Sequence, residues 1–162
     1  MRRLDRWINA FIRRVRDTHE RVVVGSPSDP LLDRYFVIPR NRFFNVYLHH
    51  FCHSDVGGLH DHRMACVSII LQGHYYEERF VSRPVAGRPL PATRKFVLER
   101  YRPLFRLPST PHRVVLEPHA APVWSLFIGL PRVRNWGFWG EINGAGCWLP
   151  HEAHEHSEPK AA

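Results

Sequence analysis

Two imidazoles two residues apart can close on one cation, and the chain offers that spacing at His60-Asp61-His62 and again at His154-Glu155-His156. With 12 histidines in 162 residues, a His-x-His arises by chance about once in such a chain, so spacing alone decides nothing. Context separates the two pairs. His60 and His62 open the β-patterned run HDHRMACVSIIL. On a strand, residues two apart share a face, and that parity continues through Met64, Cys66, Ser68 and Ile70 to the turn at Gly73. The second pair sits in a polar tail with no apolar alternation to hold it, and reads as solvated. A third ligand has to come from another strand facing the same interior. Pro108-Ser109-Thr110-Pro111 is a turn that delivers His112 at the head of HRVVLE. Three neutral imidazoles with open positions suit one divalent transition metal (Fe, Zn, Mn, Ni or Cu) without choosing among them.

Other residues are candidates to line the cavity around that centre. Tyr47 and His49 share a parity on the preceding run FFNVYLHHFC, and Cys66 shares the parity of His60 and His62. A small buried core thiol is the simpler role for Cys66. His50 and His53 read as surface or rim groups, and Glu77 and Glu78 reach the site only if the strand after Gly73 folds back in register.

The elements that must position these residues are short strands. Runs at 34–39, 43–52, 60–71, 74–81, 94–100, 103–107, 112–117 and 123–130 are rich in β-branched and aromatic residues and separated by Gly, Pro or Asn, the texture of an antiparallel sandwich or barrel. Residues 82–93 (SRPVAGRPLPAT) form the most loop-like stretch, a long hairpin connection. Ahead of the strands, residues 3–17 predict an amphipathic helix: Leu4, Trp7, Ile8, Phe11, Ile12 and Val15 recur at helical spacing, opposite a face rich in Arg. Such a helix can cover a barrel end or dock on an anionic surface, and covering is the commoner use. Gly25-Ser26-Pro27-Ser28-Asp29-Pro30 then predicts a break. This divides the chain into a helix at 1–18, a barrel at 34–132, an aromatic and Gly-rich segment at 133–150 expected to fold back onto the barrel, and a polar tail at 151–162.

The His60-Asp61-His62 strand with Gly73, followed by the turn at Pro108 and His112, resembles the two motifs of the cupin superfamily over roughly residues 34–132. The resemblance implies an all-β fold, a single antiparallel cupin barrel (a double-stranded β-helix or jelly roll), preceded here by the N-terminal helix. It implies a metal held by His60, His62 and His112. The departures are specific. Gly57 and Gly58 lie closer to the first His than the family's glycine, Cys66 stands where a carboxylate is usual, and in the second motif Ser109, Pro108 and Leu116 replace the usual pattern. The thiol dioxygenase branch also uses three His and can carry Cys at that place. However, its partner Tyr is not evident on VWSLFIGL, and no Arg can be assigned to a substrate carboxylate.

Composition sets the outer limits. The length suits one domain with a sizeable core. Three cysteines without a CxxC pair favour free thiols in a reducing compartment. The start MRRLDRWINAFIRRVRD is too interrupted by charge to read as a secretory leader, and no run is long enough to span a bilayer, so the expected location is cytoplasmic. A net charge of +8 invites nucleic acid as a partner. The arginines are dispersed and no nucleic-acid-binding motif accompanies them, so that role is disfavoured. The expectation is a metal-binding cupin, a metal-dependent enzyme on a small-molecule ligand with oxygenase-type chemistry, able to dimerise through strand edges. The alternative is a non-catalytic binding or accessory protein using the cavity or the basic helix.

Overall fold

The computed structural model describes residues 3–118 and 122–152. Helix α1 (Arg3–Thr18) is followed by twelve strands: β1 (Arg21–Ser26), β2 (Asp29–Phe36), β3 (Asn45–Phe51), β4 (Leu59–His60), β5 (Cys66–Gln72), β6 (Tyr75–Phe80), β7 (Thr93–Leu98), β8 (Pro103–Arg106), β9 (His112–Val115), β10 (Val123–Gly129), β11 (Gly137–Ile142) and β12 (Ala145–Pro150). They form two six-stranded antiparallel sheets, in the orders β1-β2-β3-β10-β5-β8 and β12-β11-β4-β9-β6-β7. The barrel expected from the sequence is thus a jelly roll of two facing sheets, with separate hydrogen-bond ladders among the described residues.

Alternation along the strands assigns the faces. Leu32, Phe51, Ile70, Tyr75, Leu98, Val114 and Val123 form the core between the sheets. The opposite parity of the first sheet presents Tyr35, Leu48 and Trp124, which pack with Ile12 and Val15 of α1. The helical spacing of Ile8, Phe11, Ile12 and Val15 therefore covers the outside of one sheet, while Trp7 and Leu4 stay exposed. No helix is long and apolar enough to cross a membrane among the described residues.

Three sequence expectations need correction. Residues 60–71 are not one strand. β4 stops at His60 in the second sheet and β5 begins at Cys66 in the first, so 61–65 is a crossover between layers. Gly73 does not begin a hairpin back onto β5. With φ at 73° it turns the chain from one sheet into the other, and β6 pairs with β7 and β9. The strands begin before residue 34: Arg21–Ser26 pairs with Asp29–Phe36 across a turn at the predicted break. The valine run Val22-Val23-Val24 carried that strand's signal, since β-branched side chains favour the extended backbone.

The aromatic segment forms the hairpin β11–β12, closed by Asn143 and Gly144, both at positive φ. That is the backbone of a two-residue turn whose twist matches the strands. β11 then pairs with β4, setting Phe138 opposite His60 and Trp139 opposite Leu59. β6 and β7 form a hairpin around the loop at 81–92.

Candidate metal centre

β4 contributes only two residues, and the fold spends one of them on a single register pair: His60 opposite His112 at the head of β9. Directly opposed residues on antiparallel strands point to the same face with Cβ atoms about 5 Å apart. His62 lies beyond the strand end, and its backbone N–H donates to the carbonyl of Pro108 (3.0 Å), in the turn that precedes His112. The intervening Asp61 faces the other way and is 2% exposed. Its carboxylate accepts from Arg134 Nη1 (2.5 Å), the Gly137 N–H (2.9 Å) and Trp148 Nε1 (3.0 Å). The Asp61 N–H donates to the Gly137 carbonyl (3.0 Å). The aspartate in the centre of the motif is a clamp onto the β11–β12 hairpin, and it turns both neighbouring imidazoles toward the interior.

The three rings converge. One ligand nitrogen from each of His60, His62 and His112 lies within 4.8 Å of the others. Ring centroids are 5.3 Å (His60–His62), 5.0 Å (His60–His112) and 4.8 Å (His62–His112) apart. Nε2 of His62 is 3.2 Å from Nε2 of His112. His112 Nδ1 lies 3.1 Å from the carbonyl of Thr110, an acceptor only, so the ring carries its proton there and turns the Nε2 lone pair inward. Burial, reinforced by neighbouring imidazoles, holds His62 and His112 well below the ordinary histidine pKa, so both rings are neutral at neutral pH. His60 Nδ1 faces Asp55 Oδ2 at 3.9 Å, too long for a direct bond.

These residues fit a metal ion. Metal–nitrogen bonds of about 2.0–2.1 Å place two ligand nitrogens of a tetrahedral or octahedral ion about 2.8–3.4 Å apart, and the observed Nε2 pair, at 3.2 Å, falls inside that range. The second candidate trio, Asp33, His50 and Cys52, fits less well. Asp33 is engaged by Arg21 Nε and Nη2 (2.9 and 2.7 Å), and His50 is stacked on Trp124 at 4.4 Å. His53 is on the surface beside Asp29 (3.0 Å). His154 and His156 lie outside the described residues.

The three histidines open into a cavity of about 450 Å³ between the sheets. Trp136 and Phe138 stand against His60 (5.9 and 5.8 Å between centroids), and Phe127 against His62 (6.0 Å). Tyr47 and His49 both line it and stack on each other at 5.8 Å. Cys66 is fully buried but is not among the lining residues; its cross-strand partner Arg106 faces the cavity instead. Burial raises the Cys66 thiol pKa and keeps it protonated. All three cysteines are free.

Several polar residues here were not assigned from the sequence. Arg106, 3% exposed, donates to both carboxylate oxygens of the fully buried Glu77, to Ser68 Oγ (2.8 Å) and to Tyr75 Oη (3.4 Å). Glu77 also accepts from Arg79 Nε (2.6 Å), so two guanidinium groups occupy it and it is not presented as a ligand. Arg34 reaches the cavity from β2 and donates from Nε to His49 Nε2 (3.1 Å). Asp55 accepts from the Val114 N–H (2.6 Å). Apart from Arg79–Glu77, within β6, these contacts join one strand to another strand or to a loop. Only the extended pattern of FVLER and HYYEERF hinted that Glu77 and its neighbours alternate between layers.

No family model matches the chain, and no curated protein matches it by sequence. Solved structures do match in shape. The polyketide cyclase RemF from Streptomyces resistomycificus aligns at a TM-score of 0.57 and 13% identity, over 80% of this chain and 85% of RemF. Fe(II)-HppE, determined with the substrate (S)-1-HPP, aligns at 0.54 and 8%, over 70% of this chain and 57% of HppE. The DMSP lyase DddQ from Ruegeria pomeroyi DSS-3 aligns at 0.53 and 15%, over 86% of this chain and 64% of DddQ. The chain spans less than two thirds of the length of the last two. At such identities the likeness concerns the fold alone. In fold, the chain is similar to these three structures.

Proposed function

We propose that this protein is a metal-dependent cupin enzyme acting on a small molecule, with His60, His62 and His112 holding one divalent transition metal ion. The observation that carries the reading is the convergence of three imidazole nitrogens within 4.8 Å at a cavity between the sheets. Two of them are neutral, and one has its outer nitrogen tied to a carbonyl. A neutral ring with a fixed tautomer is the state that ligates, and a backbone acceptor behind it is the usual support. Three protein ligands leave positions open, so the ion would supply Lewis-acid or oxygen-activating chemistry when bound. Oxygenase-type chemistry at iron is the first reaction class to assay; the structural neighbours include an iron enzyme, a lyase and a cyclase, and are compatible with others. The remaining roles belong to the chain. Trp136, Phe138 and Phe127 keep bulk water from the histidines, and Tyr47 and His49 present polar atoms to a ligand.

The test is metal content of untagged protein after exposure to each candidate ion and removal of the excess. Close to one equivalent is expected in the wild type, with loss in His60→Ala and His112→Ala. Substoichiometric metal that neither substitution changes sinks the reading.

A further inference from the structure

Arg34, Arg63, Arg106 and Arg132 line the cavity; Arg132 is exposed, Arg63 lies beside His151, and Arg34 packs against Tyr47 and His49. Arg106 is neutralised by Glu77, and Arg21 by Asp33 on the outer face of the same sheet. Arg34 has no carboxylate partner among the described residues. Its Nε donates to a neutral imidazole, His49, and its guanidinium lies over the Tyr47 ring at 5.0 Å from the centroid. Burial, and the positive charge of Arg132 and Arg40, lower its pKa, the signature of a cation lacking an anion. Among the described residues Asp55 is the one carboxylate on the cavity wall, and it is already bonded to the Val114 N–H.

We infer that the ligand of this cavity is a small organic carboxylate whose anionic group is bound by the Nη atoms of Arg34, with its apolar body against the aromatic wall that leads to the three histidines. A planar guanidinium with Nε engaged still offers both Nη groups, which match the two oxygens of a carboxylate. A desolvated cation gains most from an ionised partner, and a neutral amide cannot replace that charge. The route inward is continuous: His49 carries Arg34 on one side and stands 5.2 Å from Phe127, whose other neighbour is His62. Phe51 and Phe138 complete an apolar lining. As a statement about substrate this rests on the metal-centre reading; as an anion site it stands without it.

The full-length, chelator-treated protein is titrated calorimetrically with phenylacetate and with phenylacetamide. The acid is expected to bind at least about tenfold more tightly than the amide, the worth of a charged hydrogen bond. Arg34→Gln should abolish that preference, and Arg34→Lys should keep part of it. Equal binding of acid and amide by the wild type, binding of neither, or a preference that survives in folded Arg34→Gln overturns the inference. If Arg34→Gln does not fold, the wild-type comparison and Arg34→Lys decide. Acid preference in a protein that takes up no metal refutes the metal centre and leaves the anion site standing.

Discussion

Asp61 shows how a side chain that touches no ligand can determine a site. It is 2% exposed and takes hydrogen bonds from a guanidinium, an indole and a backbone amide, all on the segment after β10. In Asp61→Asn one face of the amide presents N–H to groups that are themselves donors. That leaves a buried clash of donors and an Arg134 without its counter-charge. Arg134 is about one-third exposed, which moderates the cost. A loss of about 1–3 kcal/mol in urea unfolding is expected. Metal affinity, read by competition with a chromogenic chelator, should fall about 10- to 100-fold, as it does when a group supporting a ligand is removed. Unchanged metal affinity in a folded Asp61→Asn would show that the clamp does not orient His60 and His62. The alternation argument placed these two histidines on one face, and they do converge. The cause is different, however, because the strand ends at His60 and the clamp does the rest. A contact between positions 61 and 134–148 is long-range, and local spacing carries no record of it.

At the scale of elements, legibility followed the range of the interactions. The helix, the run Cys66–Gln72 and the head of β9 are specified by local periodicity, and they were readable. The layer each strand joins is specified by turn geometry. Gly73 is the instructive case: its φ of 73° is in the left-handed region, and a Cβ there would sit 2.9 Å from the Pro122 carbonyl oxygen. A glycine before an extended run looks the same in sequence whether it makes a hairpin or a change of layer. Only the second keeps β5 and β6 in different sheets, and so sets Ser68 and Glu77 on opposite walls with Arg106 between them. Gly73→Ala should therefore cost about 1–3 kcal/mol, from the unfavourable backbone and the close approach together. Thermal unfolding measures it. A midpoint equal to wild type would mean that this turn relaxes freely, and that the separation of β5 and β6 has another origin.

For the whole molecule, the interior of the jelly roll carries an unusual number of buried imidazoles, and acid stability should report them. His49, His62 and His112 are all held well below the ordinary value of 6.5, first by burial and then by nearby positive or potentially positive groups. In the unfolded chain each takes up a proton as the pH falls through about 6.5; in the folded chain each resists until a lower pH. Below 6.5 the unfolded state binds more protons, so stability is fully present above that pH and is lost progressively toward the folded values. Each group contributes up to about 1.4 kcal/mol per pH unit over that window. The urea midpoint of the chelator-treated protein should be level between about pH 8 and 7 and decline steeply from about pH 6 to 5. Metal should raise the midpoint at neutral pH, by about 2.7 kcal/mol at a free concentration one hundred times its dissociation constant. That increment should vanish in acid, because protons and metal compete for the same nitrogens. His49→Gln separates the two contributions, since it removes one buried imidazole outside the proposed ligand set: the acid decline should become shallower while the metal increment persists. A metal-free midpoint that is flat from about pH 8 to 5 would mean that these rings are hydrated or already charged in the folded protein, and the neutral ligand set would not survive that result.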